Sequence, residues 1–221
     1  LADDEVEHTD VKGSLWKIRY HLADSDQSVV IATTRPETIP GDTAICVHPD
    51  DERYRDLVGK TAIVPICGRH IPIIADRYVD REFGTGALKV TPCHDHNDWA
   101  LGKNHNLEFI QVIDEDGIMK AESGPYAGLK KEDCRTKIVA DKYAGLTKQA
   151  CREAIIKDIE EAGDLVGIEP LVHSVGHCYR CHTVVEPHVS QQWFVATTKM
   201  AAKARAAMPA ETRLLPESWL K

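Results

Sequence analysis

The sequence predicts a β-rich α+β protein, a closed or nearly closed β-barrel flanked by helices. Three observations carry that expectation. Short apolar runs rich in Val, Ile and Thr recur between residues 14 and 113 at uneven spacing, the pattern of many short strands rather than of a doubly wound sheet. Turn clusters such as Pro49-Asp50-Asp51 and Asp116-Gly117 separate them. Apart from a short helix capped by Asp95 or Asn97 and running through Trp99 and Leu101, the helical pattern comes after residue 129.

Taken in order, residues 14–20 (SLWKIRY) alternate and 28–34 (SVVIATT) form a β-branched run, so both predict strands. Further strands are expected at 43–48 (TAICVH), 61–66 (TAIVPI), 71–74 (IPII), 87–91 (ALKVT) and 109–113 (FIQVI). Residues 129–144 (LKKEDCRTKIVADKYA) predict a helix. A second helix starts at Thr147 as N-cap, repeats Cys151, Ile155 and Ile159 at four-residue spacing, and stops at Gly163. Its apolar stripe is built to lie on the barrel. The tail carries HCYRCH at 177–182, an extended stretch from Val184 to Val195, and an Ala/Lys-rich helix near 198–208. The change in pattern places a boundary near 168–172, dividing 1–168 from 169–221.

Composition narrows the classes. The 221 residues are 43% hydrophobic and 28% charged, enough apolar mass for a core and too much for a disordered chain. The longest apolar runs, Val29 to Ala32 and Ile63 to Cys67, are too short to span a bilayer. The start, LADDEVEH, has no basic region followed by an apolar stretch, and its acidic, non-Met opening points to a piece of a longer protein. Seven cysteines, five of them scattered singly, fit a reduced cytoplasmic protein better than a disulfide-stapled one. A net charge of −8 argues against nucleic-acid binding by the whole surface but not against a local basic groove.

Three clusters can carry chemistry. In Thr33-Thr34-Arg35-Pro36-Glu37-Thr38 a strand runs into a loop, and hydroxyls with a guanidinium can bind carbonyl, ribose or phosphate oxygens. Equally, Pro36 can simply end the strand while the threonines cap the next turn. In FGTGALKVTPCHDHND (83–98), Gly84-Thr85-Gly86 brings backbone close to a neighbour, and His94, Asp95 and Asp98 follow a strand that holds Lys89 and Thr91. Two carboxylates three apart share the start of a helix, where they can hold an amine, orient water, ligate a metal, or serve as an N-cap. His94, His96 and Asp98 also spell HxHxD, the opening of a metal-dependent hydrolase signature, but Trp99 stands where that signature has a further His. The third cluster, Cys178 and Cys181 between His177 and His182, is half of a structural zinc site.

Together these residues go further than any one cluster. ATTRPETIPGDTAICVHPDDERY (32–54), GKTAIVPICGRHIPIIAD (59–76) and FGTGALKVTPCHDHNDWALGKNHNL (83–107) resemble the editing domain of the valyl-tRNA synthetases. HSVGHCYRCHTVVEPHVSQQWFV (173–195) is similar to the segment that returns from this insertion towards the catalytic core. The isoleucyl and leucyl enzymes share the insertion, but HDHND, GKNHNL and VVEP…QQWFV look valyl. The resemblance implies an editing domain at 1–168, a return connector at 169–221, and no adenylating core in this chain. The ATP and Mg of valine activation belong to that core.

Such a domain answers a limit of binding energy. An apolar pocket rejects an added hydroxyl by only about a hundredfold, a magnitude known for the valyl enzymes themselves rather than derived from this chain. A second, polar site can select the hydroxyl, because valine would leave its buried groups unpaired at about 1–3 kcal/mol each. The resemblance implies hydrolysis of threonine misattached to tRNA(Val), and of threonyl-adenylate, without metal or cofactor. It implies that Asp95 pairs with the α-ammonium and that Lys89, Thr91 and Asp98 read the threonine hydroxyl, with Arg35 nearby. It has Phe83 pack on the terminal adenosine or close the pocket by shape, gives Thr33, Thr34 and Thr38 the ester, ribose or water, and makes His94 a water positioner. Cys93 is expected to pack. A first CxxC typically precedes a segment like LADDEVEH, so Cys178 and Cys181 are expected to hold zinc only in the full-length enzyme. A metal-dependent hydrolase on His94, His96 and Asp98 and a free-standing deacylase acting in trans are the competing expectations.

Overall fold

A computed structural model describes residues 3–120, 143–187, 189, 193 and 195–207. The architecture is β-rich α+β, as the sequence predicts. Seven strands form two sheets: β1 (Val6–His21), β2 (Ser28–Thr33) and β7 (Leu165–Cys178) in the order β2-β1-β7, and β3 (Ala44–Val47), β4 (Thr61–Ile63), β5 (His70–Ala75) and β6 (Ala87–Val90) in the order β4-β5-β3-β6. Helices α1 (His96–Asn104), α2 (Lys148–Glu161) and α3 (Thr198–Ala207) complete the described elements.

The predicted strands at 14–20, 28–34, 43–48, 61–66, 71–74 and 87–91 all appear, trimmed or lengthened at their ends. Most of their buried apolar residues face one core, while Ala44, Cys46 and Val90 pack in a second cluster with Leu101. Ile18 and Tyr20 of β1, Ile31 of β2, Ile45 of β3 and Ile73 of β5 are buried together with Ile155 and Ile159 of α2. The two sheets meet where Leu22, just past β1, bridges Ala62 of β4, and the Ala23 N–H donates to the Thr61 carbonyl at 2.9 Å. At the other side β2 lies alongside β6. Among the described residues no hydrogen-bonded sheet closes on itself.

Two departures have local causes. FIQVI at 109–113 is buried, yet it joins neither sheet. The Val112 N–H that a ladder would use donates to the His94 ring instead, at 2.9 Å. Conversely β1 begins at Val6, eight residues before the predicted strand, and pairs with β7 from Val6↔Cys178 to Ile18↔Leu165. The helix expected at 129–144 lies outside the described residues, apart from its last two positions in a turn. The helix from Thr147 is α2: Thr147 Oγ1 accepts from the Ala150 N–H at 3.3 Å, and Cys151, Ile155 and Ile159 are the buried stripe. The Ala/Lys-rich helix is α3, and of the extended stretch 184–195 the bridge Val184↔His177 is described.

The chain divides into two compact units, 1–189 and 190–221. The first holds both sheets, α1 and α2. The second holds α3, which buries none of its residues. No helix of the described residues is long and apolar enough to cross a membrane.

Candidate active site

The loop after β2 is shaped by Pro36. It ends the strand and starts a buried 3-10 turn, Pro36–Gly41. Thr33 Oγ1 accepts from the Arg35 N–H at 3.0 Å, and Thr38 Oγ1 donates to the Arg35 carbonyl at 2.9 Å, so both hydroxyls do the turn-capping work that the residue types allow. The Arg35 guanidinium is equally committed. Nη1 donates to the His94 carbonyl at 2.8 Å, Nε to Glu37 at 3.3 Å, and Nη2 to Glu186. Burial alone would push the Glu37 carboxyl up, but the Arg152 pair at 2.9 and 3.0 Å, with Arg35 beside it, holds it below its ordinary value.

Behind this loop β6 delivers Lys89 into the protein. Its ammonium donates to Thr38 Oγ1 at 2.8 Å, Asp42 Oδ1 at 2.9 Å and Thr91 Oγ1 at 2.5 Å. Asp42, 0% exposed, also accepts from Thr91 Oγ1 and from the Tyr20 hydroxyl, each at 2.6 Å. Burial and the neighbouring carboxylate push Tyr20 well above its ordinary range, which keeps its proton in place to donate. A buried lysine–aspartate pair is tolerated when each remaining donor and acceptor finds a partner, and here they do.

Pro92 ends β6 and the chain turns, with the His94 N–H donating to the Thr91 carbonyl at 3.0 Å. Asp95 is the N-cap of α1: its Oδ1 accepts the N–H groups of Asn97 and Asp98 at 2.8 and 3.0 Å. Asp98 turns inward and accepts the Thr91 N–H at 2.8 Å. Burial pushes its carboxyl up to about 7, with Asp95 and Asp42 adding to the rise and Lys89 and the Thr91 N–H opposing it. His94 is buried and receives the Val112 N–H on Nε2, which assigns its ring proton to Nδ1.

These elements surround a cleft of about 300 Å3. All ten side chains to which the resemblance gives an editing role line it: Thr33, Thr34, Arg35 and Thr38 from the first loop, Phe83 from the Gly turn, Lys89 and Thr91 from β6, and His94, Asp95 and Asp98 from the start of α1. Gly84 makes the turn possible, with φ of +61° and a position where a Cβ would stand 2.8 Å from that of Ala32. Phe83 remains 56% exposed at the mouth, beside the half-exposed Tyr78. Sequence reasoning missed Tyr78, His173 of β7, and above all Asp42, which touches the cleft only through Lys89 and Thr91. An acidic residue directly after the Pro-Gly turn of the threonine-rich loop was the available signal.

Among the described residues no three His, Cys, Asp or Glu side chains converge as a metal site. In the HxHxD run, Asp98 Oδ2 and His94 Nε2 each take a backbone N–H and His96 is exposed. Cys178 and Cys181 share a turn, but His177 Nδ1 is within hydrogen-bond distance of Thr9 Oγ1 and the Val175 carbonyl, at 3.1 and 3.0 Å. The pair is thus two ligands of the four that a structural zinc takes.

Comparison with known proteins follows the same lines. Residues 53–160 match the family model of the leucyl-tRNA synthetase editing domain. The whole chain aligns with 23% of the valine–tRNA ligase of Nitratidesulfovibrio vulgaris at 61% identity, and with 24% of that of Thermotoga maritima at 49%. It therefore spans about a quarter of the length of the curated relatives it matches. A leucyl-tRNA synthetase of Agrobacterium radiobacter K84, solved in a ternary complex with tRNA and LeuAMS, superimposes with a TM-score of 0.48 at 16% identity, over 90% of this chain and 28% of that one. With end-to-end identity to the valine–tRNA ligases and an editing-domain model across its centre, the chain belongs to the valyl-tRNA synthetase family as a segment containing the editing domain.

Proposed function

We propose that the cleft hydrolyses the ester between threonine and the 3′ end of tRNA(Val), and also threonyl-adenylate, within a synthetase that attaches valine using ATP. The convergence of ten polar and aromatic side chains from separate segments on one small cleft carries this reading. Asp95 keeps one carboxylate oxygen on the helix cap and uses the other for the α-ammonium. Lys89, Thr91 and Asp98 form the buried end that meets the β-hydroxyl. Phe83 stacks on the terminal adenosine at the mouth. Arg35 acts by fastening the loop of Thr33, Thr34 and Thr38 to His94, while that loop holds ribose, ester and water.

In the reaction the oxygen of water adds to the ester carbonyl carbon. The resulting oxyanion collapses with cleavage of the bond to the ribose oxygen, and that oxygen takes the proton water gave up. Free threonine and tRNA leave. An aminoacyl ester is already reactive, so positioning and electrostatic stabilisation supply the catalysis. His94 positions the water from the cleft wall. No cofactor is invoked, and zinc on Cys178 and Cys181 would need ligands supplied by the rest of the enzyme.

The sheets that meet at Leu22↔Ala62, with β2 alongside β6, support a nearly closed barrel as the frame. Residues 1–168 serve as the editing domain and 169–221 as the connector to the catalytic core, in a cytoplasmic enzyme whose partner is the tRNA 3′ end.

The test is ester hydrolysis of Thr-tRNA(Val) beside Val-tRNA(Val), for wild type and Asp95→Ala, with a chelator in a parallel reaction. Selective loss of threonine that survives chelator and falls at least about a hundredfold in Asp95→Ala is the expected result. Activity abolished by chelator would move the assignment to metal-dependent hydrolysis.

A further inference from the structure

We infer that Asp42, which does not line the cleft, is the positioning residue that sets the hydrogen-bond polarity of its buried end, making that end a site for a hydroxyl donor. The inference rests on the editing function proposed above and specifies what the site demands of the amino-acid side chain.

The hydrogens can be counted one by one. Lys89 has three N–H bonds, and they go to Thr38, Asp42 and Thr91. Thr38 has one hydroxyl proton, and it goes to the Arg35 carbonyl, which can only accept. Thr91 has one hydroxyl proton, and it goes to Asp42 Oδ1. Each threonine oxygen therefore donates once and accepts once from Lys89, which leaves each a lone pair. Asp98 adds a carboxyl whose Oδ2 accepts the Thr91 N–H.

No proton of Lys89, Thr38 or Thr91 is left to offer. Once Asp98 is ionised, the threonine β-hydroxyl entering this end is met by acceptors and must donate. A methyl in its place strands those acceptors in a buried site, which is the discrimination that the threonine–valine pair needs. Asp42 decides this polarity because it takes the Thr91 proton and one Lys89 proton, while its second oxygen is anchored by Tyr20. Without the carboxylate, the Thr91 hydroxyl and one Lys89 N–H swing free, and the ordered acceptor pair is lost.

The experiment measures kcat and KM for deacylation by the full-length ligase containing this segment. Substrates are tRNA(Val) carrying threonine, valine, or 2-amino-3-fluorobutyrate, in which fluorine replaces the hydroxyl at similar size and cannot donate. Wild type is expected to hydrolyse the threonyl ester well and the fluoro ester as poorly as the valyl one. Asp42→Ala should lower the threonine-over-valine ratio of kcat/KM at least about tenfold, with the valyl rate unchanged. Because Asp42→Ala leaves Lys89 buried without its counter-charge, the isosteric Asp42→Asn, which keeps the shape of the site and one acceptor oxygen, is measured beside it, with circular dichroism of each. It should show a smaller loss of ratio in the same direction.

Rapid hydrolysis of the fluoro ester by wild type would overturn the inference. So would variants that lose rate on both natural esters equally, since that marks Asp42 as a structural support only. Either result would leave the editing function standing. A wild-type enzyme that spares Thr-tRNA(Val) would overturn both.

Discussion

Asp98 sits where burial raises the affinity of its carboxyl for a proton while Lys89 and the Thr91 N–H resist. Its folded value of about 7 lies above the ordinary carboxylate value, so the folded state holds the proton more tightly than the unfolded chain does. The stabilisation that follows is complete below about pH 4 and is lost as pH rises through about 7. Asp98→Asn should therefore flatten the decline of the urea midpoint between pH 5 and pH 8, which chemical denaturation at the two pH values will show. The deprotonated form is the better acceptor for a substrate hydroxyl, so threonine-selective hydrolysis should climb through the same range in wild type and lose that climb in the variant. At this scale much was legible. The sequence offers Asp95 as a helix cap or a cation partner, and the structure uses Oδ1 alone for the cap. It does not reveal that the Lys89 protons are already spent, because Asp42 is 47 positions away in the chain.

Among the elements, α2 was readable because three levels agree. Thr147 supplies the cap, Cys151, Ile155 and Ile159 supply the stripe, and Gly163 at φ of +78° supplies the stop. Ile155 is fully buried in the main core, so Ile155→Ala should cost about 3 kcal/mol in a urea titration. Thr147→Ala, losing only the cap, should cost about 1 kcal/mol in the same titration. The long β1–β7 ribbon was not readable. Most of Val6–Ser14 and of its partner are exposed or half-exposed, so the alternation that marks a half-buried strand never forms. FIQVI failed in the opposite sense, since its apolar run reports burial and says nothing about where a backbone N–H finds its acceptor.

Across the first unit, a chain of charges ties remote segments to the site loop. Glu37 accepts from Arg152 of α2 and from Arg35, while Glu186, beyond β7, takes Arg35 and Lys148. Glu37 is only 1% exposed, so losing its principal partner strands a charge in the interior. Arg152→Met should destabilise the protein by about 3 kcal/mol, measured by denaturation, and should slow deacylation because the Thr33–Thr38 loop loses its anchor. By itself the amino-acid sequence determined the fold class, most strand positions, α2, the family and the ten cleft residues. Each of these is written in local periodicity, turn chemistry or contiguous motif, which short stretches of chain carry alone. Tertiary structure alone decided which backbone groups pair along β1 and β7, that Arg35 is a fastener, and that Asp42 governs Lys89 and Thr91. Those outcomes depend on which donor meets which acceptor once distant segments are buried together, and buried hydrogen bonds are satisfied by neighbours in space rather than neighbours in sequence.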